Sequence, residues 1–257
     1  MKLKISWLWL AFLPLLLASH MRKTLLILFF MLTIHEGAHM LVAHCFHYPI
    51  DKVILYPFGL SAQMRCIGMG SIWKELLIII AGPATHVLFP YVFSFMAAAN
   101  LISQPYMNYL CQLNTSILVF NLLPIFPLDG GRIVQSLFHL VFRYTSAQIL
   151  TYLTGIINLF LLWHYRIIQT ASAYLVMSFL LLQILMCWKQ LAYERMAFYH
   201  YRMLHPAKGF LRMNRKNDLF RAYTNVIETK NGWILEDEWL KTVFHETPKA
   251  NRLQIML

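Results

Sequence analysis

Six stretches of nearly uninterrupted apolar residues divide the chain, at 5–19, 24–46, 76–99, 113–128, 147–165 and 171–188. A helix needs about 20 residues to cross hydrocarbon, so the second and third are long enough and the first is short. That first stretch follows Lys2 and Lys4 in the manner of a signal peptide. No small-x-small cleavage site follows it, however, and Arg22-Lys23 come directly after, so it is read as a short first helix. Two regions depart from a plain helical pattern. Residues 50–64 begin with alternation, Val53 and Leu55 against Ile54 and Tyr56, and are broken by Pro57 and Gly59, which predicts strand–turn–strand. The fourth stretch is interrupted by Pro124, Pro127 and Gly130-Gly131. Proline removes a backbone donor, and a broken chain at membrane depth survives only where it is buried in protein or lines a cavity. The expectation is an all-α membrane protein. It has six transmembrane helices, a small β-hairpin-like element between the second and third, and a cytoplasmic C-terminal tail. Residues 1–188 form the transmembrane part and 189–257 the tail.

Composition supports the membrane reading. The 257 residues are 59% hydrophobic and only 13% charged, against about 25% charged in soluble domains. A soluble globule could not cover its surface with so little charge, and disorder is excluded by the abundance of apolar side chains. The net charge of +11 fits positive-inside bias and anionic lipid better than nucleic acid, because the basic residues sit at span ends and in the tail. Before the tail, seven basic residues fall on one side of a six-span arrangement. Arg22, Lys23 and Arg166 fall on the other, which places both termini in the cytoplasm. Cys45, Cys66, Cys111 and Cys187 are far apart and form neither a disulfide framework nor a thiolate metal motif.

The second stretch contains His35-Glu36-Gly37-Ala38-His39. Positions i and i+4 of a helix differ by about 40° in azimuth, so both imidazoles can share one zinc ion with the glutamate as general base. An unpaired acid at that depth costs about 2.5–3.5 kcal/mol or more, and a divalent cation offsets it. A neighbouring histidine could also pair with Glu36 and simply hold helices together, but this leaves the second intramembrane acid, Asp129, unexplained. Two histidines and one carboxylate make a catalytic zinc shell with an open fourth position. A metal transporter is the rival reading, since intramembrane histidines and acids also mark ion pathways. Against it, the donors form one compact set with no second set along a path. His44 is rotated away from the ligand face, and His86 reads as a helix–helix hydrogen-bonding residue. The 53–64 element, as a strand edge, could hold a substrate extended by β-addition.

HEGAH in the second span, AGPATH at 81–86 and NLLPIFPLDGG at 121–131 together resemble the site-2 protease family of intramembrane zinc metalloproteases, over about residues 1–200. The resemblance implies Zn2+ held by His35, His39 and Asp129, with Glu36 as catalytic base. It also implies substrate contact at Asn121, Phe58 and Gly59. Where the family often has Phe-Gly-Gly, this chain has Phe58-Gly59-Leu60. The sporulation branch of the family processes the membrane-associated precursor of the sigma factor sigma-K in the mother cell. It works at the membrane surrounding the forespore, under inhibitory membrane partner proteins. The partners implied are therefore that precursor, the inhibitors, the lipid bilayer and a second copy of the chain, with no direct nucleic acid. The branch also carries a nucleotide-sensing CBS domain. The tail here shows no clear βαββα pattern, so only a short or incomplete CBS-like region is expected.

Overall fold

The computed structural model describes residues 2–7, 9–10, 14, 22–56, 59–64, 67–165, 170–207, 209–229 and 232–246. Most of the expected first helix, and Phe58, lie outside the described residues. By internal contacts the chain divides into two compact units. One comprises Met1–Ile67 with Trp73–Leu123, and the other Gly68–Ile72 with Pro124–Leu257.

The first unit is built on three helices, α1 (Arg22–Cys45), α2 (Ile72–Ala98) and α3 (Gln104–Asn121). Beside them lies a sheet of β1 (Lys2–Ile5), β2 (Ile50–Tyr56) and β3 (Gly59–Met64), in the order β1-β2-β3. The β2–β3 hairpin is the alternating element expected from sequence, with Val53 opposite Ala62 and Tyr56 opposite Gly59. Gly59 has φ +126, and a Cβ there would stand 3.0 Å from Leu32 Cβ on α1. Glycine is required by both the positive φ and the close approach. The parallel partner β1 was not expected, because four residues with lysine at alternate positions carry too little pattern to mark a strand. The Ser6 amide and the Trp9 indole both donate to the Leu55 carbonyl, which ties the N-terminal segment to β2. Met31, Phe89, Phe93 and Leu110 pack α1, α2 and α3 together.

The fourth apolar stretch differs from expectation. Its helix begins at Gln104 and ends at Asn121, rather than covering 113–128. Pro105 suits a helical first turn, and Asn108, Gln112, Asn114, Thr115 and Ser116 make α3 too polar to count as a candidate span. Beyond it, Pro124 and Pro127 prevent continuation, and a separate helix begins at Asp129.

That helix, α4 (Asp129–Val141), opens the second unit, followed by α5 (Tyr144–His164) and α6 (Ala171–Leu204). A Cβ on Gly131 would collide with the Phe126 amide and Ile125 carbonyl, so this glycine lets the proline-broken segment fold back on α4. At 34 residues, α6 is about 50 Å long, well beyond the length of one span. Its C-terminal part buries Ala197, Phe198, Tyr199 and Arg202. After it come β4 (Leu211–Asn214), β5 (Thr224–Thr229), β6 (Gly232–Leu235) and α7 (Glu236–Glu246). The core there joins Tyr144, Phe198, Tyr199, Leu219, Ile227, Trp239 and Leu240. Glu236 accepts the Arg202 guanidinium at 2.6 Å and the Asn225 amide at 2.8 Å, both in buried surroundings. Asp218 accepts the Thr145 amide at 3.1 Å, so this segment caps the start of α5. Burial holds the Asp218 carboxyl above the usual carboxylate range, and hydrogen bonds from Thr145 partly offset that shift.

An all-α description is therefore corrected. The described residues form seven helices and two three-stranded sheets. The second sheet escaped notice because its strands are four to six residues long and lack clean alternation. Among the described residues, α1, α2, α5 and α6 are long and apolar enough to cross a membrane.

Candidate metal centre

The site begins on α1. His35 and His39 are both buried, one helical turn apart, with ring centroids 4.8 Å apart and planes at 85°. The His39 Nδ1 lies 2.7 Å from the Ile78 carbonyl oxygen. A carbonyl can only accept, so His39 carries its proton on Nδ1 and presents a lone pair on Nε2. That Nε2 stands 3.2 Å from the Nε2 of His35. Two nitrogens bound at about 2.0–2.1 Å to one tetrahedral zinc stand about 3.3–3.4 Å apart. The pair therefore has the spacing of a shared cation, and its donor chemistry fits zinc.

Room for the pair comes from α2. Gly82 faces both imidazoles: a Cβ there would collide with His39 and stand 2.8 Å from His35 Cε1. The sequence motif AGPATH contains this glycine, but its reason lies in the facing helix. One turn on, His86 is 1% exposed, with its Nε2 3.1 Å from His35 Nδ1. Asn114 of α3 completes the cluster, its Oδ1 2.7 Å from His86 Nδ1 and its Nδ2 donating to the His86 carbonyl at 2.9 Å. Sequence reasoning passed over Asn114. In sequence it is one of several amides in α3, beside Asn108 and Gln112, and nothing sets it apart.

Glu36 is turned toward the sheet, where its Oε1 accepts the Ala62 backbone amide of β3 at 3.0 Å. Because β3 is an edge strand, the Ala62 N–H points away from β2 and is available to the carboxylate. The structure thus brings His35, His39, Glu36 and the β3 edge together, and adds Gly82, His86 and Asn114. Gly59 lies at the start of β3 against Leu32, one turn before His35. Asn121 is the last residue of α3. Asp129 is the half-buried first residue of α4, in the second unit. Of the donors expected from sequence, His35 and His39 are the two that this unit itself brings together. His44 is exposed.

Residues 92–163 match the model of peptidase family M50. The chain is 33% identical over 186 residues to stage IV sporulation protein FB of Bacillus subtilis, covering 71% of this chain and 64% of that protein. The chain is thus similar to peptidase family M50, the site-2 zinc metalloproteases. It is also 32% identical over 125 residues to a zinc metalloprotease of Methanocaldococcus jannaschii, covering 48% of this chain and 36% of the relative. Among solved structures it is similar to the site-2 protease from Methanocaldococcus jannaschii. The identity is 25% and the TM-score 0.47, over 71% of this chain and 85% of the other. The chain spans less than two thirds of the length of either curated relative.

Proposed function

We propose that this chain is a multi-pass membrane zinc metalloprotease that cleaves peptide bonds at or within the bilayer. The observation that carries the reading is the buried pair of imidazole Nε2 atoms facing each other at 3.2 Å beside the Glu36 carboxylate. As the resemblance implies, His35, His39 and Asp129 would hold the zinc. Bound there, zinc supplies Lewis acidity and brings the pKa of a coordinated water toward neutrality. Glu36 takes the proton from the attacking water and returns it to the leaving amine. The Ala62 amide holds that carboxylate in place until then. A substrate enters as an extended strand along β3, with Phe58, Gly59 and Asn121 as its contacts. Six spans put both termini in the cytoplasm, with 1–188 as the transmembrane protease part and 189–257 as the tail.

Within this reading, we assign the substrate to the class cut by the sporulation branch, a membrane-associated sigma-K precursor. The setting is the bacterial membrane surrounding the forespore. Inhibitory membrane proteins, the lipid bilayer and a second copy of the chain are the partners. The 33% identity to a sporulation protein supports it. The test is co-expression with that precursor. Wild type should release the shortened sigma factor, while Glu36→Gln should retain zinc, since the amide replaces a base and not a ligand, and lose cleavage by at least about 10²-fold. Full processing by Glu36→Gln removes Glu36 from the mechanism. No processing by an inserted, zinc-loaded wild type removes this substrate class.

A further inference from the structure

We infer that Asn114 is a positioning residue, which acts through His86 to fix the proton of His35 on Nδ1 and so aims its Nε2 lone pair at the metal. This inference deepens the metal-site reading above and rests on it. The facing pair of Nε2 atoms has two chemical interpretations. Either His35 donates an Nε2–H to His39, which makes a histidine–histidine hydrogen bond, or both present lone pairs to a cation. The proton position on His35 decides between them, and it is settled three residues away.

The chain of reasoning starts at Pro90. In α2 the His86 carbonyl would ordinarily accept the amide of residue 90, but Pro90 has no N–H. The Asn114 side chain supplies the missing donor, its Nδ2 lying 2.9 Å from that carbonyl. A carbonyl only accepts, so the amide nitrogen of Asn114 must face it, and its oxygen must face His86 Nδ1 at 2.7 Å. Amide oxygen is also only an acceptor, so His86 carries its proton on Nδ1 and its Nε2 accepts. At 3.1 Å from that nitrogen, His35 Nδ1 must donate. The Nε2 of His35 is left as the lone-pair nitrogen, matching His39, whose Nδ1 is fixed by Ile78. As neutral rings, both imidazoles are thereby set in the one tautomer that can ligate through Nε2. Burial makes the arrangement costly to break, since His86 is 1% and Asn114 2% exposed and no water competes for their partners.

The test is zinc affinity of the purified full-length protein in detergent, by competition with a chelator, together with thermal unfolding of the metal-free protein. Asn114→Leu should weaken zinc by about 10–100-fold, the usual cost of losing an outer-shell partner. Asn114→Asp keeps the acceptor facing His86 Nδ1 and loses only the donor to the His86 carbonyl. It should bind zinc within a few-fold of wild type, though its metal-free thermal stability falls. A merely structural role predicts the opposite, with both variants losing affinity equally. Equal loss, or an Asn114→Leu variant that binds like wild type, overturns the relay. Should Asn114→Leu fail to insert, His86→Gln against His86→Leu asks the same question. Glutamine retains an acceptor for His35 and should hold zinc better, and equal affinity overturns the relay. Wild-type protein that binds no zinc overturns the metal-site reading itself, which separates the two failures.

Discussion

At the scale of single residues, the metal centre depends on what is missing as much as on what is present. Gly82 is the clearest case. Glycine inside a helix costs about 1 kcal/mol relative to alanine, so helix formation by itself favours Gly82→Ala. The added Cβ would collide with His39 and press on His35. His39 cannot swing aside without giving up its 2.7 Å contact with the Ile78 carbonyl. Gly82→Ala should therefore lower zinc affinity by at least about tenfold, while the helix content of the metal-free protein holds or rises. Chelator competition and circular dichroism on the same sample check both halves. Unchanged affinity would mean that the facing imidazoles are not the metal site.

Among the elements, the edge strand β3 is the one whose backbone touches the proposed catalytic base. Its Ala62 N–H faces Glu36 and not β2, so proline at this position removes no ladder hydrogen bond, and edge strands tolerate proline for that reason. Ala62→Pro should leave the hairpin and the zinc content intact. It should cut cleavage by about tenfold or more, because Glu36 loses its anchor and the proline ring stiffens the edge that an incoming strand would pair with. Metal analysis and a cleavage assay on the same preparation measure the two effects. Undiminished cleavage in a variant that inserts and holds zinc would leave β3 with no part in presenting the substrate. The length of α6 belongs to this scale as well. Its apolar N-terminal part ends near Trp188, yet the helix continues to Leu204 because Phe198, Tyr199 and Arg202 are buried against the β4–β6 sheet and α7.

For the whole molecule, the question is which side of the bilayer each end occupies. In the proposed six-span arrangement, the seven-to-three split of basic residues would put the tail in the cytoplasm and the connection before α3 on the opposite side. Gln104 and Lys241 are both exposed. Single cysteines at these positions, in a chain lacking the native four, should react with an impermeant thiol reagent from opposite sides of intact cells or vesicles. Labelling of both from the same side would rule out six spans with cytoplasmic ends.

What the sequence determined by itself was whatever repeats or lies close along the chain. The apolar runs marked the membrane class, the alternation at 53–56 marked the hairpin, and the i, i+4 histidines marked a candidate metal pair, because helix geometry alone puts those two imidazoles on one face. What the tertiary structure decided lies between segments far apart in sequence. Ala62 meets Glu36 across 26 positions, Asn114 meets His86 across 28, and His86 meets His35 across 51. Hydrogen bonds of this kind leave no period in the chain, and a lone asparagine or glycine looks the same whether it fills a loop or orients a ligand. The proton positions that make two histidines into a pair of metal donors are set by those distant partners, so only the folded packing of α1, α2 and α3 reveals them.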